Sequence, residues 1–235
     1  MDFVLIPGAW MGEWVWEPVT RGLRALGHNV HPVTLSGLAD KDTDVSGIGP
    51  ETHVDGVLSM LEGSDLRDVV VVGHSCSGMV AGQVAYRAPA RVAHTVFVDA
   101  FLPHDGKSML DAFSEGQRED ELRQISENGG RWPVPEAAGL AGERDLSAEH
   151  RRRLLERFVG HPGRTVSEPA VLSRPLAEQR STYVACAFEV PDDLADLCEG
   201  ANWTLRTLDT GHWPMVSAPD QLVALLAEVA SEQKI

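Results

Sequence analysis

Val69-Val70-Val71-Val72-Gly73-His74-Ser75-Cys76-Ser77-Gly78 decides how the rest of this chain is read. Four consecutive valines predict a strand buried on both faces. The small, apolar segment that follows, Met79-Val80-Ala81-Gly82-Gln83-Val84-Ala85, predicts a helix. Between them the chain must turn sharply, and a bend at Ser75 would hold its hydroxyl proud of the sheet. The order matches the G-x-S-x-G strand–turn–helix pattern, with Ser77 standing where the second glycine usually is. That place needs a small residue because strand and helix approach closely there, and serine is small. The plain alternative is a Gly/Ser turn that carries no chemistry, and the pentapeptide by itself leaves the two readings level.

Working outward, Phe3 to Ile6 predicts a buried strand ending at Pro7-Gly8. Trp14 to Leu26 predicts a helical segment on the spacing of Val15, Val19, Leu23 and Leu26, stopped by Gly27. Pro18 belongs in a first turn, so the regular helix is expected to start near Glu17. Asn29 to Leu35 reads as a strand interrupted by Pro32, and 36–50 as a loop. Thr52 to Leu61 reads as an amphipathic helix. Further strands are expected at Ala93–Asp99, Tyr183–Ala187 and Thr204–Leu208. A closing helix is expected at Ser217–Ala230, with Ser217 as its N-cap. Strands alternating with helices predict an α/β fold, a doubly wound and mostly parallel sheet. The stretch 103–178 breaks this rhythm. It is rich in charge, Gly and Pro, with helical patterns at Ser108–Gln124 and Ser147–Val159, and it is too long for a simple crossover. It reads as a helical cap inserted into a core made of 1–102 and 179–235, because ligands of open α/β sheets bind beyond the strand C-termini, where the insertion emerges.

At 235 residues the chain can bury one large α/β core. A net charge of −15 repels phosphate backbones, which argues against nucleic acid as a partner. No signal peptide is expected at Met1-Asp2-Phe3-Val4, and no apolar run approaches membrane-span length. The three cysteines, Cys76, Cys186 and Cys198, show neither zinc-site nor disulfide spacing, so a reducing cytoplasm is the expected setting and no metal or cofactor is expected. The expected partner is a small-molecule substrate; a homodimer is left open.

A serine hydroxyl needs a base. Among nine histidines, His212 in Asp209-Thr210-Gly211-His212-Trp213-Pro214-Met215 follows the last strand and precedes the last helix, which puts it at the same sheet edge as Ser75. His74 is expected to pack or bond locally. The base in turn needs a carboxylate. Asp99, ending the strand after the elbow helix, is favoured. Glu189, just past the Tyr183 strand, is the alternative, and the sequence does not decide between them. The oxyanion donors expected are the backbone amides of Cys76 and of Ala9 in the turn Pro7-Gly8-Ala9-Trp10. Trp10, Phe101, Trp213 and Met215 are expected around the pocket, with ordinary core packing as the competing role for about half of them.

These pieces together resemble the α/β-hydrolase fold, and most nearly its small branch of plant methylesterases, hydroxynitrile lyases and related bacterial esterases. The resemblance covers nearly the whole chain. It rests on Pro7-Gly8-Ala9-Trp10 with Trp14 and Trp16, Leu35-Ser36-Gly37-Leu38, Gly73 to Gly78, Asp99-Ala100-Phe101-Leu102-Pro103, Tyr183-Val184, and Gly211-His212 with Met215. Residues 103–178 match least. Pro7 stands where many relatives have histidine. The plant branch takes its acid from the loop that holds Glu189, whereas other members of the fold place it where Asp99 lies. The plant lyases typically carry threonine at the position of Gly8 and lysine at that of Trp213, so their stabiliser for a departing cyanide is missing here. The resemblance therefore implies a serine esterase acting on a small or medium, fairly apolar ester, lactone or thioester through an acyl-enzyme. The alternatives are a lyase, cyclase or isomerase using the same Ser-His site, and a non-catalytic ligand-binding protein on the same scaffold.

Overall fold

The computed structural model of the protein describes residues 1–186 and 190–232. The chain begins with β1 (Asp2–Ile6), then a 3-10 turn (Glu13–Trp16) that runs into α1 (Glu17–Ala25). It continues with β2 (Asn29–Pro32), α2 (Pro50–Gly63), β3 (Val69–His74), α3 (Gly78–Arg87) and β4 (Val92–Val98). Residues 103–178 follow with α4 (Glu115–Glu127), β5 (Arg131–Trp132), α5 (Ala137–Ala141), α6 (Ala148–Arg157), β6 (His161–Pro162) and α7 (Arg164–Ser167). The chain then returns to the sheet as β7 (Ser181–Ala185), α8 (Leu194–Glu199), β8 (Trp203–Thr207), α9 (Pro214–Ser217) and α10 (Pro219–Glu232).

Six strands form one sheet in the order β2-β1-β3-β4-β7-β8, and every neighbouring pair is parallel. The valine run lies at its centre and is fully buried. Alternation along the strands divides the core in two. Phe3, Leu5, Val70 and Val72 face α1 and α10, where Val19, Leu23, Leu222 and Leu226 meet them. Val4, Ile6, Val69 and Val71 face α2 and α3, against Val54, Val57, Leu61 and Val84. A strand covered on both faces has no polar side to show, which is why its sequence is continuous valine rather than alternating. Truncating the fully buried Leu226 to Ala costs about 2–5 kcal/mol of stability.

Several boundaries differ from the sequence reading. β2 stops at Pro32, which ends an edge strand because it has no N–H to give. Ser217 does not cap the last helix. It closes the short α9, its hydroxyl donating to the Trp213 carbonyl at 3.2 Å, and α10 starts afresh at Pro219. In 103–178 the first helical pattern splits into a 3-10 turn at Met109–Ala112 and α4, while Ser147 caps α6 by accepting from the His150 amide at 3.1 Å. The antiparallel β5–β6 pair was not anticipated.

Because all six strands run the same way, the turns after β1, β3, β4 and β8 open at one edge of the sheet. The first two flank the point where the strand order reverses, between β1 and β3.

Candidate active site

The turn after β3 is sharply bent at Ser75. Ser75 adopts φ +53°, a left-handed conformation unusual for a residue with a side chain. Two contacts stabilise it. Gly8 packs so closely under the turn that a Cβ there would lie 2.6 Å from His74 Nδ1 and 2.9 Å from Ser75 Cβ. Ser77 Oγ donates to the Pro7 carbonyl at 2.5 Å, lacing the β3 turn to the β1 turn. Ser77 is therefore more than a tolerated small residue. A glycine could not make this bond, and no local signal in the sequence announces it.

β4 neighbours β3, so Asp99 leaves the sheet beside Ser75; it too has positive φ, +45°. Its amide donates to the Val184 carbonyl at 2.8 Å, and its Oδ1 accepts from the Cys186 amide at 3.0 Å. Its Oδ2 lies 2.7 Å from Nδ1 of His212, whose loop reaches back across the end of β7 from β8. Both side chains are buried. Burial alone would raise the Asp99 carboxyl; the hydrogen bond and charge of His212, with the Cys186 amide, outweigh it and hold the group below the ordinary carboxylate range. An ionised Asp99 can only accept, so His212 Nδ1 carries the proton and Nε2 presents its lone pair. Glu189, the alternative acid, lies outside the described residues.

His74 is buried and bonds not locally but across the sheet edge, to a residue 138 positions away. Its Nε2–H donates to the His212 carbonyl at 2.8 Å and its ring lies 4.6 Å from that of His212. Burial, followed by the nearby His212, lowers it to about 3, so it stays a neutral brace behind the His212 ring. The Cys76 thiol lies beside the Ala9 backbone, and burial pushes it up to about 12, which keeps it protonated and unreactive. The described cysteines are free, and among the described residues no cluster of His, Cys, Asp and Glu could hold a metal.

Ser75, Cys76, Ala9 and His212 share the wall of one cavity of about 210 Å³. Trp10, Phe101 and Trp213 line it too. Met215 does not. It is fully buried behind Trp213 among Val15, Trp16 and Leu222, because α9 turns it into the core. The opposite wall comes from 103–178 and includes Met109, Trp132, Leu140 and Glu143, none of which sequence reasoning had placed there. The same segment grips the turn that holds Ala9. The Trp10 amide donates to His161 Nδ1 at 3.4 Å, its carbonyl accepts from the Val159 amide at 2.9 Å, and its indole N–H donates to the Trp132 carbonyl at 3.3 Å.

A family model described as "Alpha/beta hydrolase family" matches residues 3–225. The chain belongs to that family. It is 39% identical over 238 residues to the "Carbendazim hydrolyzing esterase" of Nocardioides sp. (strain SG-4G), covering 96% of this chain and 98% of that one. It is 38% identical over 261 residues to Methylesterase 7 of Arabidopsis thaliana, covering 98% and 96%. Among solved structures, an extracellular α/β-hydrolase from a Paenibacillus species superposes with a TM-score of 0.84 at 20% identity, covering 97% of this chain and 98% of the other, which speaks for the fold alone. The α/β-hydrolase fold and its esterase branch, both read from the sequence, are borne out, and the protein is an ester hydrolase. Among the described residues no helix is long and apolar enough to cross a membrane.

Proposed function

We propose that the protein hydrolyses small carboxylic esters by a two-step acyl-enzyme route with Ser75 as nucleophile, His212 as base and Asp99 as the acid partner of His212. The observation that carries this reading is the 2.7 Å bond between buried Asp99 and His212 Nδ1, at a cavity that His212 shares with Ser75. Ser75 Oγ attacks the carbonyl carbon while His212 Nε2 takes its proton. The amides of Ala9 and Cys76 stabilise the oxyanion that forms. Collapse breaks the C–O bond, and His212 returns the proton to the departing alkoxide. Water, deprotonated by His212, then attacks the acyl-enzyme, and the acid leaves with Ser75 restored. Asp99 keeps the base in the productive tautomer and stabilises the imidazolium.

In this reading 103–178 is the cap over a core of 1–102 and 179–235, and it supplies one wall of the pocket. A cavity of about 210 Å³ is small beside the ~300–1,000 Å³ of drug-sized sites, which favours short acyl and alcohol groups. The free cysteines fit a cytoplasmic setting. A fluorophosphonate probe should label wild type at Ser75, and Ser75→Ala should lose both labelling and 4-nitrophenyl acetate hydrolysis. Hydrolysis by Ser75→Ala at the parent rate would refute the mechanism.

A further inference from the structure

The cavity at Ser75 is lined by aromatic residues from both halves of the molecule: Trp10, Phe101 and Trp213 from one side, Trp132 from the other. Into this wall projects one carboxylate, Glu143, just past the end of α5. Among the described residues it makes no hydrogen bond or ion pair, yet it lies close enough to His212 and Asp99 to feel both charges. Burial raises its carboxyl above the ordinary value; His212 works against that rise and Asp99 with it. No Lys or Arg is among the described residues that line the cavity. The adjacent cation, Arg144, is turned away to Asp209 and Asp145. A partly buried carboxylate with no cation beside it is free to pair with a charged ligand, and indole faces attract cations through their negative π surface.

We propose that this cavity selects esters that carry a positively charged nitrogen, an alkylammonium or quaternary ammonium group, beside the scissile bond. The cation rests against the indole faces and Glu143 neutralises it, while Ser75 and His212 act on the adjoining carbonyl. The proposal rests on the esterase reading of the same site and narrows its substrate class.

Choline and 3,3-dimethylbutanol test it, because they have nearly the same shape and differ in charge. Their binding is followed through quenching of tryptophan fluorescence, since three indoles line the cavity, and through competitive inhibition of 4-nitrophenyl acetate hydrolysis. Wild type should bind choline about tenfold more tightly than the neutral alcohol, and Glu143→Gln should erase most of that ratio while binding the alcohol as before. Any effect of the substitution on His212 changes hydrolysis of the neutral ester but not the ratio of the two affinities. Glu143→Ser provides a second variant should the first fold poorly. Equal binding of the two compounds by wild type, or a ratio unmoved in both variants, overturns the proposal. Ser75→Ala should lose hydrolysis and keep the choline preference, so a failure of the esterase mechanism and a failure of this proposal are read separately.

Discussion

The site has two halves that are built differently. Ser75, Asp99 and Ala9 sit in turns directly after central parallel strands, and backbone register places Ser75 and Asp99 one residue and Ala9 three residues past a strand end. The facing wall, from Met109 to Glu143, belongs to short helices, a two-residue ribbon and loops whose positions are set by contacts with other parts of the chain. The first half is precise because neighbouring strands fix it. The second is held by contacts between side chains and loops far apart in sequence, among them Trp10 bonded to His161, Val159 and the Trp132 carbonyl, Arg131 donating to the Gly37 and Thr43 carbonyls, and Gly211, whose amide donates to Asp145 Oδ2 at 2.9 Å. At Gly211 a Cβ would run into the Arg144 carbonyl, so glycine there is what lets the two halves close on each other. The comparison teaches that strand-end residues should govern the chemical step and inserted residues should govern what reaches it.

The largest effect expected is at the sheet edge. Asp99→Asn should leave the fold intact and lower kcat by about 10³–10⁴, because an amide no longer favours the protonated Nδ1 tautomer. Steady-state kinetics on 4-nitrophenyl acetate measure it, and full activity in this variant would move the acid role away from Asp99. Next is a deliberate exception to the division. His161 belongs to the inserted segment, but its Nδ1 accepts the Trp10 amide, next to the Ala9 amide that the proposed mechanism uses. His161→Leu should lower kcat by about tenfold with KM little changed, and His161→Asn, whose side-chain oxygen can accept in place of Nδ1, should recover part of the loss. An unchanged kcat would remove His161 from any part in positioning that amide.

Trp132→Ala tests the division on the other side. It should raise KM several-fold, about 3–10, and leave kcat nearly unaffected, since it removes contacts shared by ground and transition states. A fall in kcat without a change in KM would mean that the wall orients the reacting groups as well. The smallest effect concerns pH. His53 and His74 are buried and stay neutral down to about 4 and about 3, against an ordinary value of 6.5, with burial the main cause. As pH falls below 6.5 the unfolded chain takes up protons that the folded state refuses, so stability drops, by at most about 1.4 kcal/mol per pH unit for each group. Asp99, held below the ordinary range, adds a loss of the same sign at still lower pH. Urea midpoints between neutral and mildly acid pH should show this slope. His53→Gln, which keeps a donor for the Ser36 carbonyl, should make it shallower; an unchanged slope would place the acid sensitivity elsewhere.

The sequence by itself determined the sheet and the strand-end residues. Four consecutive β-branched valines favour a strand covered on both faces, the small residues of Gly73 to Gly78 favour a sharp turn between strand and helix, and in a parallel sheet the turns after β3, β4 and β8 must open at one edge. These are short-range constraints, and composition records them. What only the tertiary structure decided were the pairings across long sequence separations. They include Asp99 with His212, 113 positions apart, Ser77 with the Pro7 carbonyl, and Trp10 with His161. They also include Met215 turning into the core while Glu143 turns to the cavity. No local pattern says which residue will meet which, because what brings them together is the packing of separate layers, and in 103–178 strand register among the described residues extends no further than the two-residue β5–β6 pair and an isolated bridge.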